Sequence, residues 1–232
     1  MKKFLFVFCA LCFSTMSVYA AELKPYVAAR ASYSFMNNDA NQWVDDRGYT
    51  STIVNDKLED NVWGGRLAVG AEYKVCKPLT KAYRVEVEYG FNEETKNSGG
   101  YGHNINGFTI PTEFGIKSRI QSVMLNGYWD INTGTKLVPY VGAGIGYANI
   151  REKAYVSNQY DTQTAKDHED NLAWQLSAGV SYEVTADIDA ELGYRYINYG
   201  NIKNSEIRGN YTSEAKRDYD SHEILLGMRY TF

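Results

Sequence analysis

The stretch from Ser221 to Phe232, reading SHEILLGMRYTF, alternates apolar and polar side chains and ends on an aromatic. Strand side chains repeat every two residues, so Ile224, Leu226, Met228, Tyr230 and Phe232 fall on one face, with Glu223, Gly227, Arg229 and Thr231 on the other. A strand that carries its apolar face to the last residue must pair along its whole length. Closing a sheet on itself supplies the partner and removes the edge.

Seven further runs alternate in the same way, making eight in all: Lys24 to Phe35, Val62 to Val75, Ala82 to Phe91, Gly115 to Asp130, Leu137 to Ile150, Asn171 to Val184, Ile188 to Tyr199 and Asp220 to Phe232. Each can cross a bilayer at a tilt, which takes roughly 9 to 11 residues. Long polar segments (36–61, 92–114, 151–170 and 200–219) alternate with short ones (76–81, 131–136 and 185–187). Long on the outside and short on the periplasmic side is the outer-membrane arrangement. The pattern predicts an all-β fold: an eight-stranded antiparallel up-and-down transmembrane β-barrel with four long extracellular loops and three short periplasmic turns. In the run from Gly115, the residues Ile116 to Gln121 show no clean alternation, so that half either projects above the bilayer or contains a bulge.

At the other end, Lys2 and Lys3 precede the apolar run Phe4 to Phe13, and small residues before Ala21 place a signal-peptide cleavage between Ala20 and Ala21. Residues 1–20 are thus expected to be a removed export signal and 21–232 one barrel domain. The run is too short to span as a helix. Cys9 and Cys12 fall within the signal, leaving Cys76 alone and unable to form an internal disulfide. Removing Lys2 and Lys3 from 24 basic residues leaves 22 against 28 acidic ones, a net charge of −6. That balance excludes bulk nucleic-acid binding. A content of 22% charged residues reads as a soluble chain, yet a spanning strand needs only every second residue apolar.

The outward face carries a test of its own. With the first strand climbing, Tyr33, Phe35, Trp63, Tyr89, Phe91, Tyr147, Trp174, Tyr194 and Tyr196 fall near the extracellular end, and Tyr73, Tyr83, Trp129, Tyr182, Tyr230 and Phe232 near the periplasmic end. Ala29, Ala31, Leu67, Val69, Val85, Val87, Leu125, Ala143, Leu176, Ala178 and Leu226 lie between. Two aromatic girdles around an aliphatic band mark a membrane barrel. A soluble barrel would turn its aromatics inward.

The opposite face becomes the lumen. It carries Arg30, Arg66, Glu72, Lys74, Arg84, Glu86, Glu88, Glu183, Asp189, Glu191, Arg195, Glu223 and Arg229, interspersed with glycines. Eight strands enclose just enough space for their own side chains, so these charges are expected to interlock as an ion-pair network, with the glycines making room for long arms. The alternative use of the same charges is a narrow conduit for protons or small ions.

Ser122 to Tyr147 (SVMLNGYWDINTGTKLVPYVGAGIGY), Ser177 to Tyr196 (SAGVSYEVTADIDAELGYRY) and Ile224 to Phe232 (ILLGMRYTF) resemble the opacity family of outer-membrane proteins and the wider group of eight-stranded porin-like barrels. Most specific are the stretch Thr135 to Gly144 and Gly193-Tyr194-Arg195-Tyr196. The likeness covers strands four to eight well and the first three in pattern more than in words. It implies a scaffold in the outer membrane of a Gram-negative bacterium, facing lipid, whose loops bind host receptors or glycans. It also implies that Leu226, Met228, Tyr230 and Phe232 form the terminal signal read by the barrel assembly machinery. Family loops that bind sulfated glycans are basic, whereas Asp39, Asp45, Asp46, Asp56, Glu59 and Asp60 make the first loop here acidic.

Catalysis finds little support. Ser221, His222 and Glu223 are adjacent, and neighbours in a strand point to opposite faces, so they cannot form a nucleophile-base-orienter chain. His103 and His168 sit in the polar segments, and His168 between Asp167 and Glu169 has no second histidine at ligand spacing. Gly142-x-Gly144-x-Gly146 is a lumen face, not a nucleotide loop. Tyr49, Tyr101, Tyr155, Tyr160 and Tyr211 stand among Asn, Ser, Thr and Gly in the loops, a composition suited to contact surfaces. The expected function is a non-enzymatic surface scaffold for adhesion, host interaction or envelope integrity, a monomer without catalytic residues, cofactor or metal. A narrow porin-like channel is the second reading, a lipid-modifying enzyme the third.

Overall fold

The computed structural model describes residues 23–46, 49–75, 78–105, 108–158, 162–208 and 211–232. The cleavage residues Ala20 and Ala21, the thiol of Cys76 and Tyr160 lie outside the described residues. Strands β1 (Leu23–Asp46), β2 (Tyr49–Lys74), β3 (Thr80–Asn92), β4 (Thr95–Ile105), β5 (Phe108–Ile131), β6 (Leu137–Asn158), β7 (Thr162–Glu183), β8 (Ile188–Arg208) and β9 (Tyr211–Thr231) follow one another in the chain. Neighbours pair antiparallel around a ring in which β9 meets β1 and β3 meets β5, so eight strands close in the lower part of the molecule. Closure lets a sheet cross lipid, where no water can satisfy a free backbone group. The seam is tight: Tyr26 opposes Thr231, and the Phe232 amide donates to the Pro25 carbonyl at 2.9 Å.

The outward face is as the alternation requires. Leu67, Val69, Val85, Val87, Leu125, Leu176 and Leu226 are exposed, as are Phe35, Trp63, Tyr89, Phe91, Tyr147 and Trp174 above them and Tyr73, Tyr83, Trp129, Tyr182, Tyr230 and Phe232 below. Rings meet at both levels, Tyr33 edge-on to Trp63 across β1 and β2 at 4.9 Å and Tyr230 edge-on to Phe232, two residues along the same segment, at 5.0 Å. Turn chemistry explains one short connection. Gly134 adopts a φ of 69°, its amide donates to the Asn132 side chain, and the Thr133 hydroxyl donates to the Leu137 carbonyl. Asx and hydroxyl turns of this kind need those residue types.

The segments read as long loops are largely strand. β1 runs on to Asp46 and β2 starts at Tyr49; β8 and β9 meet likewise at Arg208 and Tyr211. A ninth strand, β4, pairs along the upper part of β5. Pairing of β2 with β3 stops at Gly64 and Asn92, and pairing of β7 with β8 stops at Trp174 and Asn198. Above those points the barrel divides into two four-stranded sheets, β2-β1-β9-β8 and β4-β5-β6-β7. The first half of β5 keeps one register with β6 from Thr112 to Asp130, so it carries no bulge against that strand and projects above the girdle. Polar residues alternate poorly because neither face up there is lipid. A bulge does occur in β8, between Asn198 and Gly200, where Gly200 takes a φ of 88° that other residues rarely adopt.

Candidate functional site

Charges expected in the lumen come together as one connected chain. Arg30 on β1 donates to both Glu86 oxygens at 3.0 Å, to Glu191 at 2.8 Å and to Glu88 at 3.3 Å. Arg84 forks onto Asp130 at 2.9 and 3.0 Å and reaches Glu191 at 3.1 Å. Arg195 joins Glu88 at 2.6 Å to Glu223, which also accepts from Arg66 at 2.7 Å and from the Tyr199 hydroxyl at 2.9 Å. Arg229 donates to Asp189 at 2.6 Å and stands 3.7 Å from Glu72. Five arginines thus knit six of the nine strands through side chains that are almost wholly buried. Such a network tolerates burial only because each charge has partners of good geometry.

Two of the expected residues stand apart from it. Lys74 is 42% exposed at the periplasmic mouth beside Glu72, and Glu183 pairs there with Lys81 instead of entering the interior. Conversely, Asp130, Tyr26, Tyr128, Asn126 and Tyr199 belong to the network and were not among the residues expected. Alternation alone could have found Asp130, since Trp129 beside it faces lipid. Glu86 alone accepts from the Tyr26 and Tyr128 hydroxyls, each at 2.9 Å. Replacing Tyr26 with Phe removes a hydrogen bond to a buried charge and is expected to cost about 1.5–3 kcal/mol in reversible urea unfolding; an unchanged midpoint and slope would refute that bond's contribution.

The glycines make room for rings as well as for long arms. A Cβ at Gly142 would lie 2.3 Å from the Tyr128 ring, and one at Gly179 or Gly193 2.5 Å from the Tyr140 hydroxyl, whereas Gly227 clears the Arg30 stem at 2.5 Å. Arg84 in turn lies over the Tyr128 ring at 4.6 Å.

The interior is not charged throughout. Above the arginines, Met36, Val62, Ile120, Met124, Ala148, Ile150, Ala173, Ile197, Tyr199 and Tyr219 form a buried apolar cluster. A lumen filled only by charges and glycines is therefore corrected to two layers, ionic below and apolar above. At the periplasmic mouth, a recess of about 20 Å³ between Glu72, Lys81, Asp130 and Arg229 has room for roughly one water.

His222 points outward, where its Nδ1 lies 2.6 Å from the Tyr194 hydroxyl and its ring 5.1 Å from that of Tyr196. Ser221 and Glu223 turn into the lumen, the Ser221 hydroxyl donating to the Phe35 carbonyl at 3.2 Å. The three cannot cooperate chemically. His168 is exposed on β7 opposite Arg151, and the His103 side chain lies outside the described residues. Among the described residues, no group of three His, Cys, Asp or Glu side chains could hold a metal ion.

Sequence and structure comparisons agree with this architecture. The outer membrane protein PagN of Salmonella typhimurium is 30% identical over 209 residues, covering 80% of this chain and 83% of its own. A candidate adhesin of Rickettsia bellii is 26% identical over 230 residues, covering 91% and 96%. Neither is named as an enzyme. The crystal structure of OprG from Pseudomonas aeruginosa shares the fold with a TM-score of 0.53 at 14% identity, over 91% of this chain and 97% of that one. The family model described as "Outer membrane protein beta-barrel domain" matches residues 6–232, and the chain belongs to that family and resides in the outer membrane.

Proposed function

We propose that this protein is an adhesion-type surface barrel whose lumen acts as a lock and whose two projecting sheets make contact with host cells. The observation that carries this reading is the division of the upper strands into two four-stranded sheets, which puts most of the non-membrane chain outside the cell. The similarity to PagN and to the Rickettsia candidate adhesin supports it, as does the density of the lumen, where a guanidinium, a tyrosine or a packed aliphatic side chain occupies each level. Export by removal of residues 1–20 at Ala20 and assembly of a monomer through Leu226, Met228, Tyr230 and Phe232 belong to the same reading. Leu226, Met228 and Tyr230 on β9 and Phe232 just after it are all exposed.

The test is adherence of a non-adherent Gram-negative host displaying the full chain to cultured epithelial cells. Replacing 37–60 and 201–218 by short turns is expected to reduce adherence to that of the empty host, with heat-modifiable gel migration intact. Undiminished adherence would overturn the reading. Planar-bilayer recording of the refolded protein is expected to show no single-channel steps; steps that vanish on changing Arg84 or Glu86 would instead establish the channel.

A further inference from the structure

The apolar layer above the arginines is built in two halves. Met36, Val62 and Ile197 reach it from the β2-β1-β9-β8 sheet, and Ile120, Met124 and Ile150 from the β4-β5-β6-β7 sheet. Above Gly64 and Asn198 no ladder joins those sheets among the described residues, so side chains hold them together there. Part of that hold is the packed layer itself, and part is a polar clasp on top of it. The Tyr219 hydroxyl on β9 donates to Glu152 on β6 at 2.8 Å and lies 3.5 Å from the Ser118 hydroxyl on β5. A second tie crosses between β7 and β8, where the Asn171 side chain donates to the Asn201 carbonyl at 3.0 Å.

The two layers of the lumen differ in how they treat water. Among the described residues, Ser32 Oγ, Arg66 Nε, Gln175 Oε1, Ser177 Oγ, Ser181 Oγ and Arg229 Nη1 are buried without a hydrogen-bond partner. On every strand concerned they lie nearer the periplasm than that strand's member of the apolar layer, which is Met36 on β1, Val62 on β2, Ala173 on β7 and Tyr219 on β9. An orphaned buried polar group costs the hydration it has lost. The ionic layer is therefore stabilised by exchanging partners with water, and the recess at the periplasmic mouth is where water enters. Met124 and Ile150 have no such gain, and a constriction lined by apolar side chains dewets. We infer that the apolar layer is a gate carried half by each projecting sheet: closed, it is the barrier between the outside and a lumen open to periplasmic protons, and parting of the sheets opens it. This rests on the reading of the sheets as contact surface and of the lumen as lock, and it makes the first the lever of the second.

Proton flux into lipid vesicles that carry the refolded full chain and an enclosed pH dye measures the gate. Wild type is expected to leak no faster than empty vesicles. Tyr219→Phe keeps the ring and loses the clasp, and is expected to raise the flux about tenfold, the factor for one hydrogen bond to a carboxylate. With the native cysteines replaced by serine, joining Asn171→Cys to Asn201→Cys by a short bis-thiol reagent in that variant returns the flux to baseline. Ile150→Thr/Ile197→Thr puts two hydroxyls into the layer and is expected to leak as well. Gln175→Ala widens the lumen beneath the layer and leaves the vesicles tight. Heat-modifiable gel migration checks that each variant is folded, and Tyr219→Phe, which lacks one oxygen atom, stands in if the threonine variant is not. A steady leak through wild type sinks the lock reading itself. With wild type tight, the gate is overturned by a tight Tyr219→Phe, by a folded threonine variant that stays tight, by a leak through Gln175→Ala, or by a Tyr219→Phe leak that the cross-link leaves unchanged.

Discussion

Replacing Glu223 with Leu is expected to lower the unfolding free energy by about 3–5 kcal/mol, the usual cost of leaving a buried charge without its partner. The carboxylate is wholly buried and accepts from Arg66 on β2, Arg195 on β8, Tyr199 on β8 and Ser34 on β1. Its loss leaves the buried Arg66 guanidinium without its carboxylate and Arg195 with Glu88 alone. Urea unfolding in lipid vesicles, followed by tryptophan fluorescence, measures the change. Adding Arg195→Leu removes one stranded cation, so the double variant should be less unstable than the sum of the two single changes, as expected for coupled neighbours. A loss below about 1 kcal/mol would mean that the buried pairs contribute no more than surface ones.

An equally large effect is expected from Gly146→Val. A Cβ there would lie 2.1 Å from the Val123 carbonyl oxygen and 2.7 Å from the Met124 Cα. Both atoms belong to the backbone of the paired strand, which cannot yield as the end of a side chain can. Overpacking against it is expected to cost about 3 kcal/mol or more and to reduce the fraction of chains that refold. Gly127→Val is the contrast: a Cβ there meets nothing within 4 Å, and the change is expected to fall within about 0.5 kcal/mol. Equal refolding yields for the two variants would show that the inner surface is not close-packed at Gly146.

Within the membrane the architecture was legible because two chemistries alternate there. Lipid on one side and a charged lumen on the other force a strict period of two, so Leu67, Val69 and Tyr73 against Arg66 and Glu72 read directly as two faces. Above the girdle the outer face no longer has to be apolar nor the inner face charged, the constraint lapses, and β4, the upper half of β5 and the extension of β1 to Asp46 carry no such signature. The lumen was legible in its charges and less so in its neutral members. Met124 and Ile197 look like any apolar residue; alternation beside Val123 and Leu125 turns Met124 inward, opposite Gly146, but composition does not mark either as part of a filled lumen. Glu183 shows the converse limit: its phase is right, but it sits so near the mouth that Lys81 reaches it first.

Arg195–Glu223 and Arg229–Asp189 join the paired strands β8 and β9, but the links that tie the network into one join strands far apart in the chain: Glu223 near the end to Arg66 and Ser34 near the start, Glu191 to Arg30 and Arg84. No subset of neighbouring strands satisfies all of these charges, so the network is complete only when the last strand arrives and until then unpaired members are best served by water. The same charges that fill the lower lumen of the closed barrel are therefore a passport through an aqueous compartment, surrendered only when the seam between β1 and β9 shuts.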